Sequence, residues 1–155
     1  MHFYLRDFQD ADFEHVWRID QQCFAPGISY SRRELAFYIR RRAAFTLVAE
    51  QDAAAAADTQ PIVGFIVVQT LKGLGHVITI DVSPQARRLG VGSTLLQAAE
   101  ERLRAGDCNA ITLETAVDNL GALAFYKRHG YAARKIMPRY YSNGVDAFSL
   151  SKELV

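Results

Sequence analysis

The stretch Arg87-Arg88-Leu89-Gly90-Val91-Gly92 constrains this chain more than any other part of it. An extended apolar run, residues 76–82, precedes it. An amphipathic helix pattern follows, with Val91, Leu95, Ala99 and Leu103 on one stripe. A strand must therefore pass into a helix through a basic turn punctuated by glycine. The first backbone N–H groups of such a helix have no partner within it, and the helix dipole adds roughly half a positive charge at the same place. Gly90 and Gly92 let an anion approach without a Cβ in the way. The turn suits a phosphate or diphosphate, and a phosphorylated cofactor is the expected ligand.

The rest of the pattern supplies a sheet and three more helices. A short strand is expected at residues 2–6. A helix with Phe13, Val16, Trp17, Asp20 and Phe24 at helical spacing follows, with Asp12 placed to cap it. Ala25-Pro26-Gly27 breaks that pattern. Ser31 and Glu34 form a capping box for a second helix with Leu35, Tyr38 and Ile39 on its apolar face. Residues 45–50 and 61–70 read as a hairpin. Their alanine-rich connection, 51–60, is expected to be a mobile loop, because an isolated helix that short is marginal in water. The central strand, 76–82, ends at Pro84. In the helix after the basic turn, Glu100, Glu101, Arg102 and Arg104 lie mostly away from the apolar stripe, and Gly106 is the expected stop. A strand at 110–115 and a helix from Asp118 or Asn119 to about residue 129 come next. A hairpin of 131–141 and 146–151, reversing at Asn143-Gly144, ends the chain. The order β-α-α-β-β-β-α-β-α-β-β predicts a mixed α/β (α+β) fold around one sheet, and residues 1–155 read as one domain.

Composition excludes several classes. The formal charge of +1 leaves no global footprint for nucleic acid or an anionic membrane. Cys23 and Cys108 are the only cysteines, so neither a disulfide framework nor a zinc ligand set is expected, and no metal is called for. The N-terminus lacks the basic region and apolar core of a signal peptide, and the longest apolar run, 62–68, is too short to span a bilayer. A cytoplasmic location is the expectation. Arg32, Arg33, Arg40, Arg41 and Arg42 read as a solvated face, with an acidic or RNA-rich partner as the alternative.

The glycine pair alone does not name a ligand. A Walker A loop needs a Gly-Lys-Ser/Thr ending, which is absent. A dinucleotide fingerprint needs Gly or Ala at position 95, where Leu95 sits, although Glu114 falls near the spacing of its ribose-binding acid. Glu114 interrupts an apolar strand. Asn119 and Tyr126 are two helical turns apart and share a face, with the small Ala122 between them.

Taken together, Arg87-x-x-Gly90-x-Gly92 after a strand and Asn119-x-x-Ala122-x-x-Phe125-Tyr126-x-x-x-Gly130-Tyr131 resemble the acetyl-CoA-binding core of the GNAT superfamily of N-acetyltransferases. The two motifs span the last half of the chain, and the element order extends the likeness over nearly all of it. Leu113-Glu114-x-x-x-x-Asn119 and the Tyr140-Tyr141 pair are similar to RimI-type ribosomal-protein-alanine and other N-terminal acetyltransferases. The resemblance implies a sheet splayed to admit acetyl-CoA. Backbone groups of Ile80 and Val82 would bond the pantetheine arm. Arg87, Arg88, Leu89, Gly90, Val91, Gly92 and Ser93 would cradle the diphosphate, and Asn119 would touch the cofactor. Glu114 would be the general base and Tyr126 the general acid, with Phe24, Tyr30, Tyr140 and Tyr141 near the acceptor. The implied partners are acetyl-CoA and a peptide or protein N-terminus, such as that of a ribosomal protein, for a monomer or homodimer. Two departures from RimI itself stand out: Asp81 is charged within the central strand, and residues 24–30 lack a Pro-Trp pair.

Acceptor chemistry narrows the class further. Only a neutral amine attacks a thioester; at pH 7 an α-amine with pKa near 8 is about a tenth neutral, a lysine well under a thousandth. A carboxylate base suits the former. Two alternatives stay open: transfer to a small free amine (amino acid, polyamine or antibiotic), and an acyl-CoA sensor without turnover.

Overall fold

The computed structural model describes residues 2–52 and 61–155. Among them, seven strands form one sheet: β1 (Phe3–Asp7), β2 (Ala44–Gln51), β3 (Ile62–Leu71), β4 (Leu74–Val82), β5 (Ala110–Ala116), β6 (Ala132–Met137) and β7 (Ala147–Glu153). Four helices, α1 (Phe13–Cys23), α2 (Arg32–Ile39), α3 (Val91–Ala105) and α4 (Leu120–Arg128), complete the expected mixed α/β order. From residue 53 on, the alanine-rich connection lies outside the described residues. No helix among the described residues is long and apolar enough to cross a membrane.

The sheet order is β1-β2-β3-β4-β5-β7-β6. Neighbours are antiparallel except β4 and β5, which run parallel. Helices α1 and α2 cover one face, where Val16, Ile19 and Leu35 pack on Val48, Phe65 and Val67. Helix α3 covers the other, placing Leu95, Leu96 and Leu103 on Ile66, Val68 and Val77. Each fully buried leucine contributes about 1.5–3 kcal/mol, enough to fix which side of each element faces inward.

The pairing of β4 with β5 is short. It runs only through Leu74↔Ala110, Gly75↔Ile111 and His76↔Thr112. A Cβ at Gly75 would collide with the Leu103 side chain, so glycine is what lets α3 close over this junction. Beyond His76, β4 stays on β3 as far as Val82 and β5 stays on β7 as far as Ala116. The facing edges part and leave backbone groups without a sheet partner. A bulge sharpens the parting: Val67 pairs with Thr79 and Val68 with Val77, so Ile78 is the extra residue in β4.

Several local expectations are met. Ser31 and Glu34 form the capping box of α2, and Asn119 caps α4 by accepting the Ala122 N–H at 3.1 Å. Others need correction. Asp12 stands at the start of α1 but its side chain does not cap it. A 3-10 turn, Asp10–Asp12, already leads into the helix, and Asp12 instead accepts the Gln9 N–H at 2.8 Å and pairs with Arg6 at 2.8 Å. Phe24 is not helical; it is the extended residue that ends α1. Glu100 is 3% exposed rather than turned away from the core. The buried face of α3 is wider than the predicted stripe, and Glu100 is satisfied there by the Tyr131 hydroxyl at 2.7 Å and Lys152 Nζ at 3.0 Å. Gly106 ends α3, but Asp107 is the residue with positive φ, +64°. The final hairpin is shorter in its first strand than expected, because Tyr140 and Tyr141 belong to the loop that follows β6.

Candidate active site

A cavity of about 1080 Å³ opens where β4 and β5 part. Its lining includes Ile80, Val82, Arg87, Arg88, Gly90, Val91, Gly92, Ser93 and Asn119, expected to hold the cofactor, and Phe24, Tyr30, Tyr140 and Tyr141, expected near the acceptor. Glu114 and Tyr126 border the same space. Leu89 does not reach it and is 47% exposed. It lies between two left-handed residues, Arg88 (φ +66°) and Gly90 (φ +85°), which reverse the chain and turn its side chain outward.

The turn before α3 suits an anion for reasons visible in the backbone. Gly90 starts the helix, no side chain among the described residues caps it, and no acid occupies its first turn. The first N–H groups of α3 thus remain available to oxygen ligands. Nothing lies within 4 Å of the place where a Cβ of Gly90 would stand. Ser93 Oγ lies 2.9 Å from His129 Nε2, so the C-terminus of α4 steadies a hydroxyl at the cradle. Val82 meets the cavity differently from the expectation: its carbonyl already accepts Cys23 Sγ and Arg87 Nε, each at 3.3 Å. These donors and the open sheet edge fit a ligand that ends in a diphosphate and carries amides along its length.

Glu114 sits near the fork of the two strands. Its Oε1 accepts the Tyr140 hydroxyl at 2.8 Å and lies 3.0 Å from His76 Nε2. His76 Nδ1 lies 2.6 Å from Thr112 Oγ1. Burial pushes the Glu114 carboxyl up; the His76 hydrogen bond and charge, the Tyr140 hydrogen bond and Lys135 outweigh it and hold the group below the ordinary carboxylate range. Glu114 is therefore ionised at neutral pH and only weakly basic by itself. Tyr126 is 7% exposed, and its hydroxyl has no hydrogen-bond partner among the described residues. Burial, with the charges of Asp81 and Tyr141, holds its phenol well above the usual range, so it remains protonated as a donor.

His76, Asp20 and Cys23 carry no functional signal in the sequence. His76 reads in sequence as an ordinary strand residue and becomes a partner of Glu114 only through the parallel pairing of β4 and β5. Asp81, out of place in an apolar strand, faces Asp20 of α1, and both are buried. Cys23 borders the cavity, its thiol pushed up to about 11 by burial.

Comparison with known proteins fixes the class. The chain belongs to the acetyltransferase (GNAT) family, whose model matches residues 10–131, and it is an N-acetyltransferase of that family. It is 34% identical to an uncharacterized N-acetyltransferase of Methanocaldococcus jannaschii over 96% of this chain and 90% of that protein. An N-alpha-acetyltransferase of Sulfurisphaera tokodaii is 37% identical over 55% of this chain; the chain spans only 52% of its length. The fold matches the ribosomal-protein-S18-alanine N-acetyltransferase from Escherichia coli with a TM-score of 0.85 at 20% identity, covering 99% of this chain and 94% of that one. That likeness is one of fold and extends over the whole chain.

Proposed function

We propose that this protein acetylates the α-amine of a peptide or protein N-terminus, with acetyl-CoA as donor and residues 1–155 acting as one catalytic domain. The observation that carries the reading is the convergence of Glu114 and Tyr126 on the cavity between the parted strands, with Tyr140 bonded to Glu114 from the acceptor side. The N-alpha-acetyltransferase among its relatives supports the choice of acceptor.

The first turn of α3, with Arg87, Arg88 and Ser93, holds the diphosphate, and the free edge of β4 around Ile80 bonds the amides of the arm. The Asn119 side chain has its oxygen committed to the helix cap, which leaves its Nδ2 for the cofactor. Bound acetyl-CoA supplies a thioester whose acyl carbon accepts the amine. Glu114 takes the proton the ammonium must lose, directly or through water, and His76 and Tyr140 orient the carboxylate. Tyr126 donates a hydrogen bond toward the leaving sulfur. A phenol near 10 giving its proton fully to a thiolate near 8.5 runs about 2 kcal/mol uphill, and burial steepens this, so proton transfer to sulfur comes late. Because Glu114 is a weak base, an acceptor that deprotonates easily is favoured, which points to an α-amine over lysine.

Incubation with acetyl-CoA and either a library of peptides with free N-termini or a panel of polyamines, amino acids and aminoglycosides tests this, with release of free thiol monitored. Thiol release with peptides, and N-terminal acetyl groups by mass spectrometry, is the expected result. Release with small amines alone would replace the acceptor, and binding without release would remove the catalytic reading.

A further inference from the structure

Asp20 of α1 and Asp81 of β4 are 0% and 1% exposed, and their carboxyl groups face one another. Each has one oxygen with a conventional donor. Asp20 Oδ2 accepts the Tyr30 N–H at 2.8 Å, and Asp81 Oδ1 accepts the Thr79 hydroxyl. The other two, Asp20 Oδ1 and Asp81 Oδ2, are buried without a donor among the described residues. Ionised carboxylates only accept hydrogen bonds, so two of them in contact satisfy each other only when one carries a proton. A doubly ionised pair out of water would also carry an unscreened repulsion.

A proton shared by the pair would have a structural consequence. Tyr30 is held at four points: its N–H by Asp20, its carbonyl by Trp17 Nε1 at 3.1 Å and Gln21 Nε2 at 2.7 Å, and its hydroxyl by the carbonyl of Ile78 at 3.3 Å. Ile78 is the bulge residue of β4, where the strands part. The wall that includes Phe24 and Tyr30 is thus fastened to β4 through the Tyr30 hydroxyl and through the carboxyl pair.

Resting on the reading that an acceptor amine enters this cavity, we propose that Asp81 is a positioning residue for the acceptor: the proton it shares with Asp20 seats Tyr30 and the 24–30 wall against β4. Loss of that proton sets two carboxylates against each other and loosens the wall. Burial and the mutual repulsion of the pair keep the proton well above the carboxylate range, while Thr79 and the charge of Arg87 pull the other way. Cys23 from α1, Glu34 from α2 and Tyr126 from α4 also face the pair, and none adds a positive charge.

Asp81→Asn tests this, since its amide donates to Asp20 and its oxygen still accepts from Thr79 at every pH. Asp81→Ala removes the link. Infrared spectra of the wild type should show a protonated carboxylic-acid carbonyl band at neutral pH that Asp81→Asn lacks. Asp81→Ala should raise the acceptor KM about tenfold, as loss of one buried hydrogen bond would, with the Kd for acetyl-CoA held within about twofold. Asp81→Asn should restore the acceptor KM to within about threefold, and the wild-type to Asp81→Asn ratio of KM should grow at alkaline pH as the wild type loses its proton. A wild type without the band, an acceptor KM indifferent to Asp81→Ala, or a ratio constant with pH would overturn the proposal. Should Asp81→Ala fail to fold, the band and the KM ratio still decide. If no amine is acetylated at all, the functional reading fails by itself. The pair is then judged by the band and by melting temperature: the folded state holds the extra proton, so wild-type stability should fall relative to Asp81→Asn as pH rises.

Discussion

Glu114 Oε1 and His76 Nε2 lie 3.0 Å apart, although 38 residues separate them in the chain. The last paired step of β4 and β5, His76↔Thr112, brings them together at the point where the strands begin to part. The carboxylate is thereby held at the mouth of the fork in a fixed orientation. Glu114→Gln keeps the shape and removes the proposed base. Its kcat should fall by roughly 10²–10⁴, the usual contribution of general base catalysis, while acetyl-CoA still binds. Steady-state kinetics with a peptide acceptor, beside calorimetric titration of the cofactor, measure both.

His76 sets how acid the solution must be before Glu114 protonates. With Glu114 held below the ordinary range, the acid limb of kcat/KM should follow the acceptor amine, with unit slope up to about pH 8. His76→Ala removes the partner that offsets burial, so Glu114 should protonate at higher pH and a second acid limb should emerge. Stability follows the same sign. A depressed carboxyl stabilises above its unfolded pKa, about 4.3, and loses that contribution as pH falls through the folded value. The melting temperature of His76→Ala should therefore lie below wild type at neutral pH, with the gap closing in acid.

Tyr126 has no hydrogen-bond partner for its hydroxyl among the described residues, so removing that oxygen breaks no internal bond. Tyr126→Phe should fold normally and lower kcat by roughly 10²-fold, as loss of a donor to developing charge does, with a smaller effect on acetyl-CoA binding. Unchanged turnover would mean that the leaving sulfur finds its proton elsewhere.

Gly90 isolates the cradle. A Cβ there meets nothing within 4 Å, but φ is +85°, so Gly90→Ala carries only backbone strain, about 1–2 kcal/mol. The helix start should shift to relieve it, raising the KM for acetyl-CoA more than that of the acceptor. Initial rates with each substrate varied in turn separate the two.

Signals contained within a few residues were legible in the sequence. The Ser31–Glu34 capping box, the Asn119 cap and the buried stripe Val91, Leu95, Ala99 and Leu103 each depend on neighbours no more than a few turns away. The passage from β4 through the basic turn into α3 was legible for the same reason, since strand, turn and helix start are contiguous. Contacts set by pairing distant strands were not. His76 acquires its partner from the register of β4 on β5, and Asp81 from the packing of α1 against β4. Glu100 was misread because polarity alone assigned it to solvent, whereas Tyr131 and Lys152 give it buried partners from elements beyond α3. Leu89 was grouped with the cradle by proximity in the chain, and two left-handed residues around it send it outward.

The central claim is that the parted strands β4 and β5 receive acetyl-CoA with its sulfur end directed at Glu114 and Tyr126. A crystal structure of the protein with coenzyme A and an N-terminal peptide measures this most directly. The account predicts the pantetheine arm between β4 and β5, the diphosphate on the first turn of α3, and the sulfur within hydrogen-bonding distance of the Tyr126 hydroxyl, with the peptide amine facing Glu114. A diphosphate bound away from α3, or a sulfur remote from both side chains, would contradict it.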